Sequence, residues 1–79
     1  MKKNRMTIIL VDLLEKVSED GFMPCYQIPN VYSGEIRKDI ADDLVRLGCL
    51  RNDWSACGKN GIQGYFDTEA IKKLLAEIQ

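Results

Sequence analysis

The chain contains no histidine. It therefore lacks the one side chain whose ordinary charge change falls near neutral pH, and with it the commonest acid–base group and metal ligand. Cysteine is sparse as well. Cys25, Cys49 and Cys57 cannot all pair within one chain, and their spacing forms no C-x-x-C. A zinc site would have to use all three thiolates plus a carboxylate, without the close-spaced ligand pairs that structural zinc sites show. The expectation is three reduced cysteines behaving as small apolar residues. Long apolar runs are missing too: the longest, Ile8 to Val11, falls far short of the ~20 residues that cross a bilayer, so no membrane association is expected. The opening Met1-Lys2-Lys3-Asn4-Arg5 is basic and precedes apolar residues, in the manner of a secretory leader. Asp12, Glu15 and Lys16 interrupt the apolar stretch and no small-residue cleavage site follows. The expected location is cytoplasmic, with residues 1–5 as a basic flexible arm.

Catalytic signals are equally thin. No nucleophile–base pair and no metal or cofactor motif appears, so the expectation is a chain that is not an enzyme and takes no cofactor. Glu19-Asp20 and Asp42-Asp43 are adjacent carboxylates, but neighbours on a helix point about 100° apart, and solvated acids are the better reading. Gly58-Lys59-Asn60-Gly61 spells the G-x-x-G of a KH-type RNA clamp. That loop should join two helices, whereas Gly64-Tyr65-Phe66 after it reads as strand.

What is present organises 79 residues as one small domain. Met6, Leu10, Leu13, Leu14 and Val17, widened by Ile9, recur at helical spacing between about Met6 and Glu19, and Gly21 supplies a helix stop. Residues 21–33 hold both prolines, Pro24 and Pro29, among Phe22, Met23, Tyr26, Ile28, Val31 and Tyr32. The prolines forbid a continuous helix, and the apolar content excludes a solvated linker. A short extended piece around Tyr26 to Ile28 and one helical turn from Pro29 are expected, the whole packing as a plug over the core. A second helix opens at the N-cap Ser33, places Ile36, Ile40, Leu44 and Leu47 on one stripe, and ends at Gly48. Asn60-Gly61 then predicts a type I′ hairpin that pairs Ala56 with Tyr65 and Ser55 with Phe66. That register puts Trp54, Ala56 and Tyr65 on one face and Ile62 and Phe66 on the other. Asp67 or Thr68 caps a last helix with the stripe Ile71, Leu74, Leu75 and Ile78.

An apolar helix ending Leu44-Val45-Arg46-Leu47-Gly48, then a strand, the hairpin tip Lys59-Asn60-Gly61, the strand Tyr65-Phe66-Asp67 and a closing helix resembles the winged-helix family over residues 34–79. The resemblance implies an α+β fold with three helices plus a C-terminal-half β-hairpin, the wing. It also implies a DNA-binding regulator whose recognition helix is residues 34–47. Arg37, Lys38, Arg46 and the wing lysine Lys59 would then touch DNA, helped by Lys2, Lys3 and Arg5.

Charge argues for a different partner. Burying the helix stripe leaves Glu35, Lys38, Asp42 and Arg46 outward with Asp39 and Asp43 flanking, and Lys38 and Arg46 each lie four residues from Asp42. Residues 12–43 hold eight acids against three bases, while residues 1–11 carry a net plus three and residues 44–79 plus one. An acidic face removes the phosphate neutralisation from which DNA affinity mainly comes. Of the two hairpin faces only one can pack on the helices, so either Trp54 and Tyr65 or Ile62 and Phe66 are left for solvent. An aromatic beside an acidic rim is the composition of a protein-binding hot spot. Tyr26 is the third aromatic open to such a role.

The leading expectation is therefore a non-catalytic protein-binding module using Glu19, Asp39, Asp42 and Asp43, with Trp54 or Tyr65 as anchor. Asp12 and Glu15 extend the acidic flank. Its partner would be a protein with a basic surface, of the kind found on nucleic-acid-handling proteins. The small, acidic, one-domain format resembles phage-encoded inhibitors of host machinery, anti-CRISPR proteins among them. DNA is the alternative partner, and homodimerisation through the last helix fits either reading.

Overall fold

Helix α1 (Lys3–Lys16) buries Met6, Ile9, Leu10 and Leu13, positions that fall on one side at 3.6 residues per turn. The computed structural model describes residues 3–29 and 36–78. The apolar stripe is the expected one, but both ends of the helix differ. It begins at Lys3, so residues 3–5 of the expected flexible arm are its first turn. It ends at Lys16 rather than near Glu19 because side chains offer the backbone another set of bonds. Ser18 Oγ lies 2.6 Å from Asp20 Oδ1 and 2.9 Å from the Phe22 carbonyl, and the Phe22 N–H donates to Asp20 Oδ1 at 3.0 Å. The Ser18 hydroxyl, reinforced by the Phe22 amide, holds the Asp20 carboxyl below its usual range.

Gly21, expected as the helix stop, has a different task. Its φ is 85°, its carbonyl accepts the Phe66 N–H at 2.8 Å, and a Cβ there would strike the Phe66 carbonyl oxygen. It brings the chain into strand β1 (Phe22–Gln27), longer and earlier than the extended piece expected at Tyr26 to Ile28. Pro24 falls in the irregular stretch of pairing between Met23 and Tyr26. The strand tolerates it because β1 is an edge of the sheet, and proline is admitted at edges and bulges.

Helix α2 (Ile36–Arg46) buries Ile40, Ala41 and Leu44. Gly48 ends it as expected, with φ 80°. The Cys49 N–H donates to the Leu44 carbonyl at 2.8 Å and the Gly48 N–H to the Val45 carbonyl at 3.0 Å, the paired bonds of a Schellman cap. The expected cap at Ser33, Glu35 and the turn expected after Pro29 lie outside the described residues.

Strands β2 (Ser55–Cys57) and β3 (Gly61–Tyr65) form the hairpin, and β1 adds to its other side, giving an antiparallel sheet of order β1-β3-β2. The sheet thus draws on both halves of the chain, not on the second half alone. The expected type I′ turn does not form. Ser55 pairs with Gln63, Ala56 with Ile62 and Cys57 with Gly61, so the loop is Gly58-Lys59-Asn60. The positive φ, 68°, sits at Gly58, and no described non-glycine residue has one. Gly61 is needed in the strand instead, because a Cβ there would run into the Cys57 carbonyl and lie 2.7 Å from Cys25 Sγ. The glycine of the Asn-Gly pair serves a close approach rather than a turn.

Helix α3 (Thr68–Ile78) is capped by Asp67, whose Oδ1 accepts the Ala70 N–H at 3.0 Å, and α3 packs against α1. Ile62 and Phe66 face inward, joining Tyr26, Leu50, Ile71 and the helix stripes in the core. The Tyr26 ring meets Phe66 edge-on at 6.2 Å, and its hydroxyl donates to Asp12 Oδ2 at 2.9 Å. The result is an α+β fold of three helices and three antiparallel strands. No described helix is long and apolar enough to cross a membrane.

Candidate functional site

The expectation of three reduced cysteines is overturned. Cys25 on β1 and Cys57 on β2 form a disulfide, their Cα atoms 5.6 Å apart. It joins the two edge strands across β3, and Gly61 is the point it passes. Neither cysteine stands near the other in sequence, and an odd count concealed the pair. Cys49 stays a free thiol. Burial, with the Asp67 carboxylate adding to it, pushes that thiol up to about 11, so it is a protonated, apolar core group at neutral pH.

Asp39 and Asp42 of α2 are exposed, whereas Asp43 is half-buried. Lys38 Nζ is 2.9 Å from Asp42 Oδ2 and Arg46 is 3.0 Å from Asp43 Oδ1. The bond to Asp42, then its charge and that of Asp39, holds the Lys38 ammonium above its usual range. Arg5 reaches Asp43 from α1 at 3.8 Å, so it is engaged within the domain. Arg37 points elsewhere: its Nη1 donates to the Gly58 carbonyl at 2.7 Å and the Lys59 carbonyl at 2.6 Å, clamping the hairpin loop to α2. Asp39 is exposed and has no ion-pair partner among the described residues. Asp12, read as part of the acidic flank, is turned inward to Tyr26 and Lys16.

The aromatics do not share a face. Tyr65 is 41% exposed on the side of the sheet away from the core. Phe22 lies beside it with ring centroids 5.0 Å apart, and the Arg51 guanidinium sits 5.0 Å from its ring centroid. Trp54 packs on the other side, its Cβ 3.2 Å from where a Cβ on Gly64 would stand. Gly64 and Tyr65 are successive strand residues and so point to opposite faces. The shift in hairpin register is what separates the two. Phe22 and Arg51, which complete the Tyr65 cluster, were not legible because they reach it only through β1 pairing and the Leu50–Phe66 bridge.

Glu19 belongs to neither group. It lines an open cavity of about 340 Å³ with Leu14 of α1, with Val17 just beyond that helix, and with Thr68, Glu69 and Lys72 of α3. No lining residue there is buried. Lys59 is exposed at the hairpin tip. In α3, Ile71 and Leu75 are used inside the domain, leaving Leu74 and Ile78 as large apolar side chains that are only half-buried. No group of histidine, cysteine or carboxylate side chains fit to hold a metal ion occurs among the described residues.

The predicted constellation therefore resolves into the α2 acids, the Tyr65–Phe22–Arg51 cluster, Trp54 against Gly64, and Glu19 at the α1–α3 cavity. Comparison with protein-family models, with curated proteins and with solved structures finds no match to this chain.

Proposed function

We propose that the chain is a non-catalytic protein-binding module on a winged-helix-like frame. It acts on a basic surface of a nucleic-acid-handling protein, in the format of a small phage-type inhibitor. The observation that supports this most is the state of the α2 cations. Lys38 and Arg46 are each held by a carboxylate of the same helix, and Arg37 is spent on hairpin carbonyls. A helix in this state offers DNA phosphates little positive charge, while exposed Asp39, outside the ion pairs of the described residues, is open to a cationic partner. Tyr65 with Phe22 and Arg51 has the residue composition of an interface anchor.

The test is double charge reversal, Asp39→Lys with Asp42→Lys. Asp43 is left intact because it binds both Arg5 and Arg46. Proteins captured from the native host on the wild-type chain should be lost on the variant, with the circular dichroism spectrum unchanged. Capture that survives the reversal contradicts the reading.

One observation favours a second reading, a winged-helix DNA-binding regulator. The Arg37 clamp holds the wing tip, with Lys59, against the start of α2, so helix and wing form a continuous edge bearing two cations.

A further inference from the structure

We infer that the Cys25–Cys57 bond is a thiol–disulfide switch. It fastens the β2 end of the hairpin tip, residues 58–60, onto β1, and a thiol reductant releases it. This holds whatever the class of partner.

Three features point this way. First, the bond joins β1 and β2, which are the two edges of the sheet and are separated by β3. The backbone joins those two strands only through β3, where Gly61 pairs with both Gln27 and Cys57. Second, the core does not need the bond. Neither cysteine belongs to the buried cluster, and both are half-buried, within reach of a small thiol. Third, the fastenings of the tip to α2 and to the end of β1 include polar bonds that water can replace. Among them are the two Arg37 hydrogen bonds to the Gly58 and Lys59 carbonyls and the Ile28 N–H donating to the Asn60 carbonyl at 3.0 Å.

An N–H donor also stands at one of the two sulfurs. Gln27 Nε2 lies 3.0 Å from Cys25 Sγ, placed to donate to that sulfur once it is negative. Such donors favour the thiolate form of cysteine.

The step balances as ordinary exchange. A thiolate of the dithiol attacks Cys57 Sγ and the Cys25–Cys57 bond breaks. The electron pair leaves on Cys25 Sγ, where Gln27 receives it with a hydrogen bond. The second thiol of the reductant loses its proton and attacks the reductant sulfur of the mixed disulfide, expelling the Cys57 thiolate. The dithiol departs as a cyclic disulfide; with glutathione a second molecule supplies the second thiol and the two depart as a linear disulfide, and in either case the protein has gained two electrons. Opening frees the tip, and Arg37 and Lys59 are released together.

The test is amide NMR of the full chain, oxidised and then reduced with dithiothreitol or with glutathione. Both reductants should open the bond. Shifts should change at residues 25–28, 37 and 55–61, and order parameters at 58–60 should fall from ~0.85 to below ~0.6. Ile9, Leu44 and Ile71 should keep their shifts, reoxidation should restore the first spectrum, and Cys25→Ser with Cys57→Ser should show the open spectrum without reductant. An unchanged tip after reduction overturns the proposal, because the bond then fastens nothing. Collapse of dispersion through the whole spectrum overturns it as well, since the bond is then a staple the fold requires. So does a bond that dithiothreitol cleaves and glutathione leaves intact.

Discussion

Gly21→Ala should lower the unfolding free energy by about 3 kcal/mol, and Gly48→Ala by only about 1 kcal/mol. Both glycines lie in the left-handed region, with φ of 85° and 80°, so both substitutions incur the same conformational strain. They differ in what a Cβ would meet. At Gly48 nothing lies within 4 Å, whereas at Gly21 the new carbon would enter the Phe66 carbonyl oxygen. That oxygen belongs to backbone held by the Phe66 N–H bond to Gly21 itself, so relief requires moving β1 away from the strand end that closes the core. In a domain stabilised by roughly 5–15 kcal/mol such a loss is large. Urea unfolding of the two variants measures the difference, and equal costs would mean that the approach of β1 to Phe66 is loose.

Removing the disulfide should have a comparable or larger effect. The bond closes a loop of sequence separation 32, for which the chain-entropy relation gives about 4 kcal/mol. Cys25→Ser with Cys57→Ser should therefore lower the melting temperature by about 20 °C for a chain of this size. It should also raise the denaturant slope, because the unconstrained unfolded chain exposes more surface. The effect acts through the unfolded ensemble, so the folded variant keeps its core and opens only at the hairpin tip. A cost below about 1 kcal/mol would show that the unfolded chain gains little freedom from the cut.

Much of the helical framework was legible because periodicity is local. Met6, Leu10 and Leu13, then Ile40 and Leu44, then Ile71 and Leu75 all proved to be core, and Gly48 marked the stop it provides. The i,i+4 pairing of Lys38 with Asp42 was readable for the same reason. Arg46 chose Asp43, three residues back, over the Asp42 expected. The strand part was harder. Pro24 hid β1, since whether proline is tolerated depends on whether the strand is an edge, which is a property of the sheet. Asn60-Gly61 misled because a glycine selected for close approach is indistinguishable in sequence from one selected for a turn. The resulting shift in register moved Trp54 away from Tyr65 and dissolved the aromatic face expected there. The disulfide, the Arg37 clamp and the Asp12–Tyr26 bond join residues 14 to 32 positions apart. Nothing at those separations is fixed before the strands pair.

Local neutralisation, rather than net charge, sets how this chain meets DNA. A formal charge of −1 would not keep a protein from DNA if a basic face existed. The described cations are largely committed to carboxylates or backbone carbonyls, among them Arg5, Lys16, Arg37, Lys38, Arg46 and Arg51. The measurement that bears most directly on this claim is fluorescence anisotropy of labelled duplex DNA titrated with the chain across a salt series. With the cations so committed, no saturable binding is expected at low salt and therefore no salt slope. Saturable binding that weakens steeply as salt rises would show that phosphates displace the carboxylates from these cations, and would contradict that expectation.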